Sequence, residues 1–141
     1  MIKAFGPANW CSEMTIRWAG KNEKGLAALK ADDALAVYTK FFEQEHTLDA
    51  SNKDYEAGAT VDVDAQKEDQ EQGRKIAAPL LLVYSEAGIG KRYDVGGAWK
   101  EWVEEGVHVK SYPLGDGIGH FGAEEAPEET AKAVVGWLGG L

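Results

Sequence analysis

Pro79-Leu80-Leu81-Leu82-Val83-Tyr84-Ser85, PLLLVYS, is the stretch on which the fold turns. A short apolar run between a proline and the turn EAGIG (86–90) is the pattern of a β-strand covered on both faces. Nothing upstream resembles it. GPANWCSEMTIRWAG (6–20) spaces Trp10, Met14 and Trp18 four residues apart, an inward-packing aromatic helical stripe closed by Gly20. KNEKG (21–25) reads as a polar linker. ADDALAVYTKFFEQ (31–44) predicts a helix with Asp32 or Asp33 as N-cap and Leu35, Tyr38, Phe41 and Phe42 at helical spacing. Residues 47–73 read as one or two polar helices with few apolar anchors, ending at Gly73.

Downstream the grammar is different. DVGGAWKEWVEEG (94–106) predicts a helix carrying Val95, Trp99, Trp102 and Val103, ended by Gly106. VHVKSYPL (107–114) suits a second strand. A glycine-rich loop holding His120 follows, then APEETAKAVVGWL (126–138), a helix with Pro127 near its first turn and Val134, Val135 and Leu138 as its buried stripe. Strand, helix, strand, loop, helix is the order of an α/β fold with a parallel sheet. Two strands cover neither their faces nor their edges, so the pattern predicts the end of a larger sheet.

Composition narrows the function classes. The 141 residues are 44% hydrophobic and 28% charged, with five Trp, which suits a globular chain. The formal net charge of −9 argues against nucleic acid and against anionic membranes, both of which require a basic surface. No run approaches the ~20 apolar residues of a membrane span. MIKAFGPANW lacks the apolar segment of a signal peptide, and the single cysteine, Cys11, fits a reducing compartment; a cytoplasmic location is expected.

His120 is the residue whose setting suggests chemistry. It follows a strand on a loop containing Gly115, Gly117, Gly119 and Gly122, where a rigid element presents the ring and glycine lets the backbone turn. It reads either as a general base or as a solvated loop histidine. His108, inside the strand, and His46, at a helix edge, read as structural. The three histidines have no metal-ligand spacing, so no metal site is expected. Asp62 and Asp64 fit a solvated acidic helix surface, and EEAPEE (124–129) fits a first helical turn whose acids meet the helix dipole. GIGKR and GDGIG match neither a phosphate loop nor a dinucleotide fingerprint.

DYEAGA (54–59), PLL (79–81) and GHFGAEEAPEET (119–130), taken together, resemble the α/β-hydrolases of the haloacetate (fluoroacetate) dehalogenase and epoxide hydrolase group, from about Trp10 to the C-terminus. The resemblance implies a partial α/β-hydrolase fold: residues 1–72 as a helical cap-like segment, and 73–141 as the last two strands and helices of the core. It implies hydrolysis of a haloacetate or an epoxide through an ester on a nucleophilic Asp, with His120 activating the water. Tyr55 would bind the leaving halide or the epoxide oxygen as a phenol donor, or else be a helix-face aromatic touching the core. No cofactor is implied. Asp94, after the first strand, is a candidate for the acid.

Several parts of the family pattern do not occur in these residues. There is no Gly-x-Asp-x-Gly or Gly-x-Ser-x-Gly elbow for a nucleophile and no early His-Gly segment for oxyanion donors. The paired cap His-Trp is not identifiable, the strand that usually ends in Trp-Gly ends here in Tyr84-Ser85, and PLGDGIGHF lengthens the loop before His120. The enzyme reading therefore expects a small-molecule substrate and a complementing chain that brings the nucleophile. The competing reading is a catalytically inactive, truncated homologue that associates with itself or a partner, or binds a small ligand.

Overall fold

The computed structural model describes residues 2–140. In chain order the elements are α1 (Ile2–Phe5), α2 (Pro7–Trp18), α3 (Glu23–Leu29), a 3-10 turn (Ala31–Asp33), α4 (Ala34–Phe42), α5 (Glu45–Ala59), α6 (Val61–Glu71), β1 (Leu80–Ser85), α7 (Val95–Trp99), β2 (Val109–Leu114), α8 (Gly122–Glu125) and α9 (Pro127–Leu138). They form two compact units. The first takes the residues up to Thr15 with Asp33–Lys75, and the second takes Ile16–Asp32 with the chain from Ile76 onward. The fold is mixed α/β, mostly helical, with one small parallel sheet.

The first unit is helical and thinly anchored. Its buried apolar side chains are Cys11 on α2 and Leu48 on α5, whereas Val37 and Phe41 of α4 stand largely in solvent. No residue of α6 is buried, as expected of a helix whose first turn is Val-Asp-Val-Asp. Asp33 occupies the N-cap position of α4, but in the left-handed region (φ 55°) and without a capping hydrogen bond from its side chain. Burial pushes the Cys11 thiol up, against a smaller opposing effect of a hydrogen bond with Thr15. A raised folded-state value keeps the thiol protonated where the unfolded chain ionises, so this contribution to stability is complete below pH 9.0 and is lost as pH rises further. Iodoacetamide should accordingly alkylate native Cys11 many-fold more slowly than the urea-unfolded chain at pH 8, read by mass spectrometry.

The second unit is built on the strands. β1 and β2 pair in parallel, with Leu80 opposite Val109 and Ser85 opposite Leu114. The ladder extends beyond them: Leu80 N donates to His108 O at 2.9 Å, and Ile76 bridges Val103. Pro113 sits opposite Tyr84 and has no N–H to give, which suits a strand with a free edge. Leu82, Leu114, Ile118, Val95, Val103, Ala133 and Trp137 form the core, joined by Leu29 of α3.

Four sequence expectations need correction. KNEKG is not a linker: Asn22 caps α3 by accepting from Gly25 N at 2.9 Å, so the helix starts inside it. The helix predicted over 94–106 stops at Trp99, because Trp102 O accepts from Ile76 N and Glu104 N donates back to Ile76 O, an exchange that holds this segment extended. In α9 the buried positions are Ala133 and Trp137, while Val134, Val135 and Leu138 are exposed. The large Trp137 indole, against His108, turns that helix face inward. β1 is fully buried only at Leu82, since a two-stranded sheet leaves the remaining positions half covered.

Candidate active site

The loop after β2 owes its shape to hydrogen bonds from three directions. Asp116 (φ 53°) and Gly117 (φ 75°) turn it through the left-handed region, and Ile118 N closes the turn on Gly115 O at 3.0 Å. Below it, Ser85 at the end of β1 donates its hydroxyl to Ile118 O at 2.6 Å and accepts from Gly88 N at 2.8 Å. Beside it runs the connector between α2 and α3. His120 N donates to Trp18 O at 3.0 Å, Lys21 N donates to Gly117 O at 3.1 Å, and the Asn22 amide donates to Asp116 O at 2.8 Å. This pairing brings the backbones close enough that Gly20 and Gly119 must both lack a side chain. A Cβ at Gly20 would lie 1.9 Å from Gly117 O, and one at Gly119 would lie 2.1 Å from Gly20 N.

The third direction is a buried carboxylate. Glu125, at the end of α8, is 3% exposed. Its Oε2 accepts from Gly20 N at 2.6 Å and from Gly119 N at 2.9 Å, and its Oε1 accepts from Phe121 N at 3.0 Å. Three backbone donors meet this one carboxylate, with no counter-cation on it among the described residues, the arrangement under which a buried carboxylate is tolerated. Gly25 lets α3 pack directly on α8, and Thr130 ties its hydroxyl to Gly122 O at 3.0 Å.

On this frame the His120 ring points outward. The residue is exposed, with its ring edge-to-face with Trp18 at 5.1 Å and 88° and with Phe121 at 5.0 Å and 90°. Its backbone is held while the imidazole stays open to a reacting molecule, as a proton-transfer group requires. Trp18 is half-exposed rather than packed inward as its helical stripe predicts.

Tyr55 belongs to the first unit and Asp94 to the second. Tyr55 is on α5 in the first unit and is 73% exposed, so it does not serve as a core aromatic. Asp94 is the N-cap of α7, its Oδ1 accepting from Gly97 N at 2.9 Å. Asp94→Ala should therefore destabilise the second unit by about 1 kcal/mol, measured by urea unfolding. His108 lies beside Trp137, ring centroids 4.8 Å apart, and His46 is exposed at the start of α5. Asp62 and Asp64 stand in the first turn of α6. Among the described residues, no three His, Cys, Asp or Glu side chains come together as a metal ion would need.

The sequence reading missed Glu125, Trp18 and Gly20 as parts of this loop. Glu125 was hidden by its neighbours: in EEAPEE every acid looks like a helix-dipole partner, and only the fold separates the buried one. Trp18 and Gly20 are about a hundred positions from His120, and no local spacing joins them.

The chain is 34% identical over 77 residues to epoxide hydrolase B of Mycobacterium tuberculosis, in each of two strains. The aligned stretch takes in 50% of this chain and 20% of the relative, so the chain spans about a fifth of the length of the relatives it matches. No protein-family model matches the chain. Among the described residues, no helix is long and apolar enough to cross a membrane.

Proposed function

We propose that the chain is the His-bearing part of an α/β-hydrolase that opens epoxides, or displaces halide from haloacetates, through an Asp-ester intermediate. The observation that carries this reading is the exposed His120 ring, on a loop fixed at the end of a parallel strand, in a chain similar to an epoxide hydrolase. Residues 73–141 would be the end of the hydrolase core and residues 1–72 cap-like, with Ile16–Asp32 of that segment packing beside His120.

The chemistry follows from the parts. A carboxylate oxygen of an Asp attacks an epoxide carbon, and the C–O bond of the ring breaks. The ring oxygen takes a proton from a phenol, the role proposed for Tyr55. His120 then removes a proton from water as that water attacks the ester carbonyl. The ester C–O bond breaks, and the proton on His120 passes to the leaving alkoxide to free the diol. The Asp carboxylic acid gives its proton back to the phenolate, which restores both groups. A Gly-x-Asp-x-Gly elbow does not occur in these 141 residues, so the nucleophile has to be supplied by other residues than these.

The test supplies those residues. The chain is mixed with the part of epoxide hydrolase B that lies outside the matched stretch, and styrene oxide and fluoroacetate are assayed. Turnover that needs both pieces and falls at least ~100-fold in His120→Ala supports the reading. Turnover that survives His120→Ala, or a stable complex with no turnover, contradicts it; the second result favours a non-catalytic, associating chain.

A further inference from the structure

The residue that nothing in the proposed chemistry uses is the one the second unit buries most deliberately. Glu125 is the buried charged side chain among the described residues; it is nearly closed off from solvent, and its carboxylate is held by backbone N–H groups. Its three partners are not scattered. Gly119 and Phe121 are the residues on either side of His120, and Gly20 belongs to the connector whose Trp18 carbonyl takes the N–H of His120 itself. One carboxylate therefore grips the loop on both sides of the histidine and ties it to the strip of chain that carries Trp18.

We propose that Glu125 is a positioning residue for His120: its carboxylate fixes the backbone at Gly119 and Phe121 and the connector at Gly20, and so sets the imidazole between Trp18 and Phe121. The physical reason is geometric. The imidazole hangs from a backbone whose φ and ψ would otherwise be free at Gly119, next to it, and at Gly122, two residues on, so its direction needs an anchor close to the Cα. A side chain with two oxygens four to six residues away supplies that anchor, and charge-assisted bonds to N–H groups are the stronger kind. Ser85 and Asn22 secure the earlier part of the loop at Ile118 and Asp116, which leaves the histidine itself to Glu125 and Trp18. The catalytic meaning of this assignment rests on the role proposed for His120; the positioning itself does not.

The test uses the 141-residue chain and reads the His120 ring signals by NMR in wild type, Glu125→Gln and Val103→Ala, the last loosening the core without touching the loop. Two aromatic rings at about 5 Å displace the His120 ring protons from free-histidine positions in the wild type. Glu125→Gln, which keeps the size but sets an NH2 group against one of the N–H donors, should move those signals back toward free histidine, while Val103→Ala leaves them in place. Unchanged signals in a folded Glu125→Gln, or an equal shift in Val103→Ala, overturn the assignment. If Glu125→Gln does not fold, amide exchange in the wild type decides: Gly20, Gly119 and Phe121 should be slowed together by at least ~100-fold, and free exchange at any of the three overturns it. In the mixed-chain assay Glu125→Gln should lower kcat and leave KM nearly unchanged. A ring shift without any turnover in the wild type would sink the hydrolase reading and leave the positioning standing.

Discussion

Glu125→Ala is expected to cost the second unit about 3–5 kcal/mol in urea unfolding followed by far-UV circular dichroism. Each buried backbone N–H left without an acceptor costs roughly 1–3 kcal/mol, and the substitution orphans three. Water entering the vacated space recovers part of that, which keeps the total below the upper sum. Set against a stability of roughly 5–15 kcal/mol for a small domain, the loss is a large share. Glu125→Gln should lose about half as much, because its amide oxygen still serves one or two of the donors. The same experiment on Glu128→Ala, exposed in the first turn of α9, should read less than about 1 kcal/mol, since that carboxylate meets only the helix dipole.

The second large effect is expected at Gly119. An added Cβ would stand 2.1 Å from Gly20 N and 2.5 Å from Ala19 C, and both are backbone atoms with no rotamer to move aside. Overpacking typically costs about 1–3 kcal/mol where side chains can yield. Here the connector has to leave the loop, which breaks the bonds from His120 N to Trp18 O and from Lys21 N to Gly117 O. Gly119→Ala should therefore destabilise by about 3 kcal/mol or more and erase the ring contact between Trp18 and His120. Gly136→Ala is the counter-case. It lies within α9 with nothing within 4 Å of the added methyl, and it should be neutral or stabilise by about 0.5–1 kcal/mol. Thermal melts of the two variants side by side give the contrast directly.

These two sites also mark where sequence reading ends. The strands and their parallel order follow from local pattern, because PLLLVYS and VHVKSYPL are short apolar stretches bounded by turn residues. α2 and α4 follow from helical periodicity, α5 and α6 from a long polar stretch without strand or turn signals, and the start of α9 from Pro127 at its first turn, although its buried face does not. Trp102 and Val103 have the spacing of a helix, yet a bridge to Ile76, some 25 positions away, holds them extended. Trp18 has the spacing of a core aromatic, yet its ring meets His120 at half exposure. His120 was legible as a candidate because glycines and a strand surround it. What holds it was not, because one acid among several, and one glycine before a charged segment, acquire their roles only by long-range approach.

The most direct test of the hydrolase reading is the fate of the ester intermediate. The chain carrying His120→Gln is mixed with the part of epoxide hydrolase B that lies outside the matched stretch, exposed to styrene oxide and analysed by intact-protein mass spectrometry. If His120 activates the hydrolytic water, the variant mixture accumulates a covalent adduct of one substrate molecule on the added piece, while the wild-type mixture stays free and releases diol. An adduct that turns over equally fast with His120→Gln, or no adduct with either chain, would contradict the role of His120.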